Sequence, residues 1–315
     1  MDIIYRHFES KDFLPTFDFF KIYGVAYDFT SRMWKRQMLL DPNFDANWFI
    51  IAESEGKIVG LIYVIRRCVP IDVGGDLECD KAWINGFAVL PEYLSEVGSR
   101  LIDIAENLAR NNGAKTLTAT SYTPNYFTQG IDMVHFTDYA MLFENKGYKL
   151  EETSNSMKLN LMDYSYSEKA ARLKKQLKEE KITFSTLSED SIYALIEYMY
   201  EYSKPGWMCR LRKLLLGTDD LSRVHIAKAG DKVIGFNMYG DVDTDIKRFG
   251  PFGVNPEYTG KGIGRVLLEE CLLDMKKAGH SYAWLSWASG ERAPILYRSI
   301  GFNITGIYNT YVKKL

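Results

Sequence analysis

The residues best suited to chemistry are Thr259-Gly260-Lys261-Gly262-Ile263-Gly264-Arg265. Three glycines at alternate positions let backbone N–H groups converge on an anion without Cβ obstruction. A helix is predicted directly after them, because Leu267, Leu268, Cys271, Leu272 and Met275 repeat at helical spacing. Its first N–H groups lack intrahelical partners, and its N-terminus carries partial positive charge. Together these features would hold a phosphate or pyrophosphate; a plain glycine-rich turn is the structural alternative. Spacing excludes two familiar phosphate loops. A Walker loop needs a Gly-Lys pair followed by Ser or Thr, and Gly262 stands where the hydroxyl should be. A dinucleotide loop needs Gly-x-Gly-x-x-Gly and a later acid at a strand end, whereas Asp274 falls inside the predicted helix.

A second group lies downstream. Tyr297 sits in Ala293–Ile300, predicted as a short helix. Asp241, Asp243 and Asp245 precede the strand that leads into the glycine loop, and each reads as part of a solvated acidic turn. Trp284 and Trp287 read as core or cleft wall.

These residues need a frame. Ile182–Leu187 is predicted as a strand, Asp190–Tyr202 as a helix, Val224–Ala227 with Val233–Tyr239 as a hairpin, and Ile246–Val254 as the next strand. Tyr282–Trp287 and a closing strand pair over Asn303–Val312 complete an α/β unit. The unit occurs twice. Glu55–Gly60 returns as Gly230–Gly235, Val89–Tyr93 as Val254–Tyr258, and Leu142–Tyr148 as Leu296–Phe302. Three matches in one order, with steadily shrinking spacing, indicate a duplication whose first copy has longer loops. The expected division is 1–160, a linker helix at 161–181, and 182–315. Ser167 and Glu168 start that helix, Ala170, Leu173 and Leu177 form its apolar stripe, and its charges form a solvated face.

The segment Val254–Arg265 resembles the acyl-CoA loop of the GCN5-related N-acetyltransferases, the GNAT superfamily, with its Arg/Gln-x-x-Gly-x-Gly/Ala pattern. The resemblance makes Gly262 and Gly264 the two small residues, with Gly260, Lys261, Ile263 and Arg265 supplying neighbouring N–H groups to a pyrophosphate. Thr259 departs from the pattern, standing where the family has Arg or Gln, which implies weaker cofactor binding. It also implies two tandem GNAT-like domains, each a mixed, splayed β-sheet flanked by helices. The strand Phe252-Gly253-Val254 would polarise a thioester carbonyl, and Tyr297 would protonate the departing thiolate. The resemblance also implies a carboxylate base near the start of that strand, with Asp245 best placed among Asp241, Asp243 and Asp245, and Glu291 a weaker candidate. In the first copy the loop reads Leu94-Ser95-Glu96-Val97-Gly98-Ser99, and Phe143 replaces Tyr297. Val97 is expected to face the phosphate position, and Glu96 would repel a phosphate by ~1 kcal/mol or more. The first copy therefore reads as a degenerate domain that no longer catalyses. Its loops Cys68–Trp83 and Tyr122–Phe136 would reach over the active copy. Tandem architecture of this kind is similar to mycothiol synthase, without a motif that fixes that substrate.

Totals narrow the partners. The 315 residues carry 39 basic and 41 acidic side chains, a near-neutral balance that gives no field for nucleic acid or anionic membrane. No run is long and apolar enough to span a bilayer, and the N-terminus does not read as a signal peptide, so the expected location is cytoplasmic. Cys68, Cys79, Cys209 and Cys271 are dispersed, as are four histidines, so no metal site is expected and the cysteines read as buried or free thiols. The resemblance implies acetyl-CoA as co-substrate and direct transfer to an amine. The acceptor would be a small molecule, with a protein amine as the other class, and the chain a monomer or weak dimer. The alternative function is a non-catalytic CoA-binding sensor or interaction module.

Overall fold

Phe49–Ser54, Lys57–Ile65 and Lys81–Val89 are apolar runs of six to nine residues, rich in β-branched and aromatic side chains, which is the composition of strands covered on both faces. In the computed structural model they pair antiparallel as β2, β3 and β4, after an edge strand β1 (Ile3–His7). The structure describes residues 2–72, 75–241 and 245–315; Asp243 and part of the Cys68–Trp83 loop lie outside these. The chain divides into two compact units: Met1–Asn155 with Gly306–Leu315, and Ser156–Thr305.

In the first unit, helices α1 (Phe13–Tyr23) and α2 (Ser31–Trp34) cover one sheet face with Phe20, Phe29 and Trp34. Helices α3 (Ser99–Asn111) and α4 (Thr137–Asn145) cover the other with Leu101, Ile102 and Leu142. Strand β5 (Thr116–Ala119) runs parallel to β4 from Lys81↔Thr116 to Ile84↔Ala119. The pairing ends where Asn85 is bulged out of register with β3. The two-residue β6 (Ile131–Asp132) and the start of β7 (Lys149–Asn160) follow. The last ten residues of the chain complete this unit: Tyr311↔Ala119 through Lys314↔Thr116 pair antiparallel with β5, and Lys313 bridges to Glu106 at 2.7 Å.

The second unit opens with α5 (Glu168–Glu179), capped where the Ser167 hydroxyl accepts from Ala170 N–H. Strand β8 (Ile182–Thr186), helices α6 (Ile192–Tyr202) and α7 (Trp207–Thr218), and strands β9 (Val224–Ala229), β10 (Lys232–Tyr239) and β11 (Phe249–Val254) come next. They form an antiparallel sheet in the order β11-β10-β9-β8. Then follow α8 (Ile263–Lys277), β12 (Tyr282–Ser289), α9 (Arg292–Ile300) and β13 (Asn303–Lys314), whose last residues belong to the first unit. Helices α6 and α7 pack on one face of the sheet, and α5 with α8 on the other. Helix α5 is seated on α8 through Ala170 and Leu177, while Arg172, Lys175 and Lys178 remain exposed. The strand pair expected over Asn303–Val312 is one continuous strand. A pair would need a tight turn, and Gly306, the only glycine there, adopts no positive φ.

Helix α8 is also tied to the sheet by a side-chain hydrogen bond. Asp274 Oδ2 lies 3.0 Å from Nε2 of the buried His225 on β9. That bond, helped by Lys277, holds the Asp274 carboxyl at about 2, below its ordinary 3.8. A depressed carboxyl stabilises the fold above its unfolded value and loses that contribution as pH falls from 3.8 towards 2. The carboxylate is partly solvated, so its worth is about 1 kcal/mol. Urea unfolding of Asp274→Asn should therefore show a loss of that size at pH 5 that vanishes near pH 2; a pH-independent loss would mean the pair is not the cause.

Candidate functional site

Strand β11 pairs with β10 along one edge only, from Gly235↔Val254 to Tyr239↔Phe249, with an extra residue accommodated on β11 between Phe252 and Phe249. Its other edge meets β12 at a single parallel bridge, Arg248↔Trp284, where Trp284 N–H donates to Lys247 O. Beyond that bridge the two strands part. Asn255 N–H bonds Ile234 O on β10. Strand alternation then turns the N–H groups of Val254 and Phe252 the other way, into the split. The side chains of β11 after Phe249 are only partly buried, as an open cleft wall requires.

The glycine loop lies at the wide end of this split. Asn255 Oδ1 accepts from Glu257 N–H and starts a single 3₁₀ turn at Pro256–Tyr258. Gly260 and Gly262 then take φ of +88° and +90°, which an L side chain rarely adopts. Gly262 caps α8, and the first helical bond is Val266 N–H to Gly262 O, so the N–H groups of Ile263, Gly264 and Arg265 have no intrahelical acceptor. The fifteen-residue α8 adds its dipole at the same point. These donors fit a pyrophosphate. The glycines serve the fold in a way their spacing did not disclose. A Cβ on Gly262 would sit 2.8 Å from Leu173 of α5, and one on Gly264 3.1 Å from the Phe252 ring. Only Gly260 opens onto free space. Two of the three glycines therefore allow close helix packing, and the donors come from the loop backbone.

The cationic side chains of the loop are engaged elsewhere. Lys261 Nζ bonds Glu180 at 2.8 Å, and Arg265 bonds the buried Glu269 at 2.8 Å and also Ser299. Glu269 further accepts from Ser167 N–H and Oγ, locking α5 to α8. Thr259 has extended backbone and forms the exit of the 3₁₀ turn. Gly253 accommodates Trp207, whose ring would lie 2.8 Å from a Cβ there.

Tyr297 projects from α9 into an aromatic cluster with Phe302, Phe249 and Phe252 at ring separations of 5.5, 6.2 and 6.4 Å. Phe252 thus bridges the split strand, Gly264 and Tyr297. Burial pushes the Tyr297 hydroxyl well above its ordinary 10.0. Asp245 sits at the narrow end of the split, accepting from Trp284 Nε1 at 2.8 Å and from Lys247 N–H at 3.0 Å. Asp241 is committed to Arg248 at 2.7 Å and Arg210 at 2.6 Å. Asp243 lies outside the described residues. Arg248, buried and bonded also to Ser286 Oγ, is a site residue that pattern reading missed; its signal was a Lys-Arg pair at the entry to an apolar strand.

The first unit carries the same frame without the cradle. Residues Leu94–Gly98 wind into a widened helical turn continuous with α3, in place of a glycine-bent loop. Val97 does not face a phosphate position as the sequence suggested. It points into the core, its methyl 3.0 Å from where a Cβ on Gly60 would be. Phe143, in the position of Tyr297, is buried against Phe87 and Tyr148.

Among the described residues, no helix is long and apolar enough to cross a membrane and no cluster of metal-ligating side chains occurs. Two family descriptions match the chain: "Acetyltransferase (GNAT) family" over residues 13–130 and "Acetyltransferase (GNAT) domain" over residues 220–304. The [ribosomal protein bS18]-alanine N-acetyltransferase of Haemophilus influenzae is 31% identical over 84 residues, 27% of this chain and 57% of that enzyme. The chain thus spans little more than half the length of this relative. A solved tandem GNAT protein from the clavulanic acid biosynthesis pathway superposes with a TM-score of 0.65 at 14% identity, covering 99% of this chain and 98% of that one. The GCN5-related glucosamine N-acetyltransferase region of a fungal multi-domain GH3 β-N-acetylglucosaminidase gives a TM-score of 0.80 at 18% identity, over 99% of this chain and 38% of that one.

Gly262→Ala should cost about 2 kcal/mol in urea unfolding, from a strained φ and the Leu173 clash. In a Leu173→Ala background the same substitution should cost about half as much. An equal cost in both backgrounds would show that Leu173 is not what requires the glycine.

Proposed function

Because the chain belongs to the GNAT family and carries two of its domains in tandem, we propose that the second unit is an N-acetyltransferase moving an acetyl group from acetyl-CoA to an amine by direct attack. The observation that carries this reading is the conjunction of the split strand, the glycine-bent loop at the N-terminus of α8, and Tyr297 behind Phe252. Acetyl-CoA supplies the thioester carbonyl and the thiol leaving group. The backbone N–H groups over Gly260–Arg265 hold its pyrophosphate, with Lys261 and Arg265 contributing backbone donors while their side chains brace α5 and α9. The N–H groups of Val254 and Phe252, turned into the split, hydrogen-bond the pantetheine arm and polarise the thioester oxygen as charge grows on it.

Tyr297 handles the leaving group. With its hydroxyl held above its ordinary 10.0 by burial, it is protonated throughout the neutral range. A thiolate of pKa about 8.5 is a weaker base than such a phenolate. The hydroxyl therefore acts first as hydrogen-bond donor to the departing sulfur, stabilising it in the transition state. Asp245 is assigned as the base that receives the acceptor's proton; the Trp284 and Lys247 bonds fix its orientation. The acceptor is proposed to be a small-molecule amine. A protein N-terminal amine is the second class, favoured by the activity named for the Haemophilus influenzae relative. The first unit is assigned no acetyl transfer, on the strength of its helical 94–98 turn and Phe143.

Tyr297→Phe should lower kcat about 10²-fold while leaving acetyl-CoA affinity nearly unchanged. Release of CoA against a panel of small amines and N-terminal peptides would measure both this and the acceptor class. An unchanged kcat would remove Tyr297 from the mechanism.

A further inference from the structure

The two faces of β11 are built differently beside the split. Phe252 and Val254 lie towards α8, 3.1 and 3.6 Å from the place a Cβ on Gly264 would take. Tyr297 stands behind Phe252 on that face. Strand alternation turns Gly253 to the other face, which α6 and α7 cover. A Cβ on Gly253 would meet the Trp207 ring at 2.8 Å and Tyr198 Oη at 3.2 Å. Gly253 takes no positive φ, so its backbone conformation does not call for glycine. What calls for it is the close approach of these two side chains.

Both are held in place from behind. Tyr198 of α6 is 3% exposed, its ring against Phe236 and Tyr202 at 5.7 and 5.4 Å, which leaves the hydroxyl as the end that reaches β11. Burial raises that hydroxyl above its ordinary 10.0, so at neutral pH it is an uncharged O–H whose oxygen can accept an N–H. Trp207 opens α7 directly after Gly206, whose φ of +82° turns the chain, and its ring rests on Phe236 at 5.8 Å. The indole stays half-buried.

The direction of attack brings these residues into the reaction. A thioester whose oxygen is held by N–H groups of β11 lies near the plane of the sheet. A nucleophile reaches a carbonyl carbon from above or below that plane. The α8 face is filled by Phe252 and Tyr297, and the thiol leaves there. The amine therefore comes over Gly253, and the first groups it meets are Tyr198 Oη and the Trp207 ring.

We propose that Tyr198 and Trp207 form the acceptor side of the acetyl-transfer site: Tyr198 Oη accepts an N–H of the attacking amine, and the Trp207 ring carries the amine's aromatic or apolar substituent. The assignment rests on the acetyltransferase reading of the second unit and names its acceptor class, a primary amine with such a group a few bonds from nitrogen. Steady-state kinetics on the full chain at saturating acetyl-CoA would compare phenethylamine with ethanolamine, which share one aminoethyl stem. Phenethylamine should show a KM at least about tenfold lower. Tyr198→Phe keeps the ring and removes only the hydroxyl. It should raise the phenethylamine KM about tenfold, while the acetyl-CoA Kd from calorimetry stays within about twofold of wild type. Trp207→Leu should cut the preference for phenethylamine to about threefold or less. A Trp207→Leu chain that no longer binds acetyl-CoA has lost its fold, and Tyr198→Phe then decides alone. An unchanged phenethylamine KM in Tyr198→Phe, or equal KM values for the two amines in wild type, would overturn the assignment. Acetyl-CoA binding without turnover of either amine would overturn it too, and would leave the acetyltransferase reading standing. Failure of the wild type to bind acetyl-CoA would instead remove the reading on which the assignment rests.

Discussion

The site in the second unit depends on β11 having one paired edge. A strand inside a sheet spends every N–H and C=O on its neighbours, and nothing is left for a ligand. After the Arg248↔Trp284 bridge, β11 keeps β10 and gives up β12, so alternate backbone groups of Phe252 and Val254 are turned into a cleft. Bare strand edges are costly and invite unwanted pairing, and the protein manages this one by confining it to a short strand. The bridge itself is reinforced: Arg248 is buried, paired with Asp241 and bonded to Ser286 across on β12, and Asp245 holds the Trp284 indole. The narrow end is pinned so that the wide end can stay open.

The wide end is organised by backbone conformation. Gly260 and Gly262 take left-handed angles that turn the chain sharply into α8, and Gly264 lets α8 lie close on Phe252. Helix α5 closes the other side, with Leu173 filling the space beside Gly262 and Glu269 accepting from both Ser167 and Arg265. The loop is thus held by packing and by a buried carboxylate, with its N–H groups left over for an anion. In the first unit a comparable frame took another course. A helical turn over Leu94–Gly98 stands in place of the glycine-bent loop.

Much of this was legible in the sequence because the relevant signals are local. Apolar runs marked the strands, the Leu267–Met275 stripe marked α8, Ser167 marked the start of α5, and three ordered matches marked the duplication. What stayed hidden depends on long-range packing. Gly262 read as bare backbone for a ligand, yet its missing Cβ is claimed by Leu173, some ninety positions earlier. Val97 read as an obstruction in a loop; once that loop is helical, the same residue is core. No local pattern could reveal that Arg248 reaches Ser286, or that residues 306–315 would complete the sheet of the first unit.

The central claim is that one unit keeps the cofactor cradle and the other has replaced it with helix. Titration calorimetry of the full chain with acetyl-CoA tests it most directly. The account predicts a single site per chain. Two sites would contradict the reading of the first unit, and no binding would contradict the assignment of the second as an acetyltransferase.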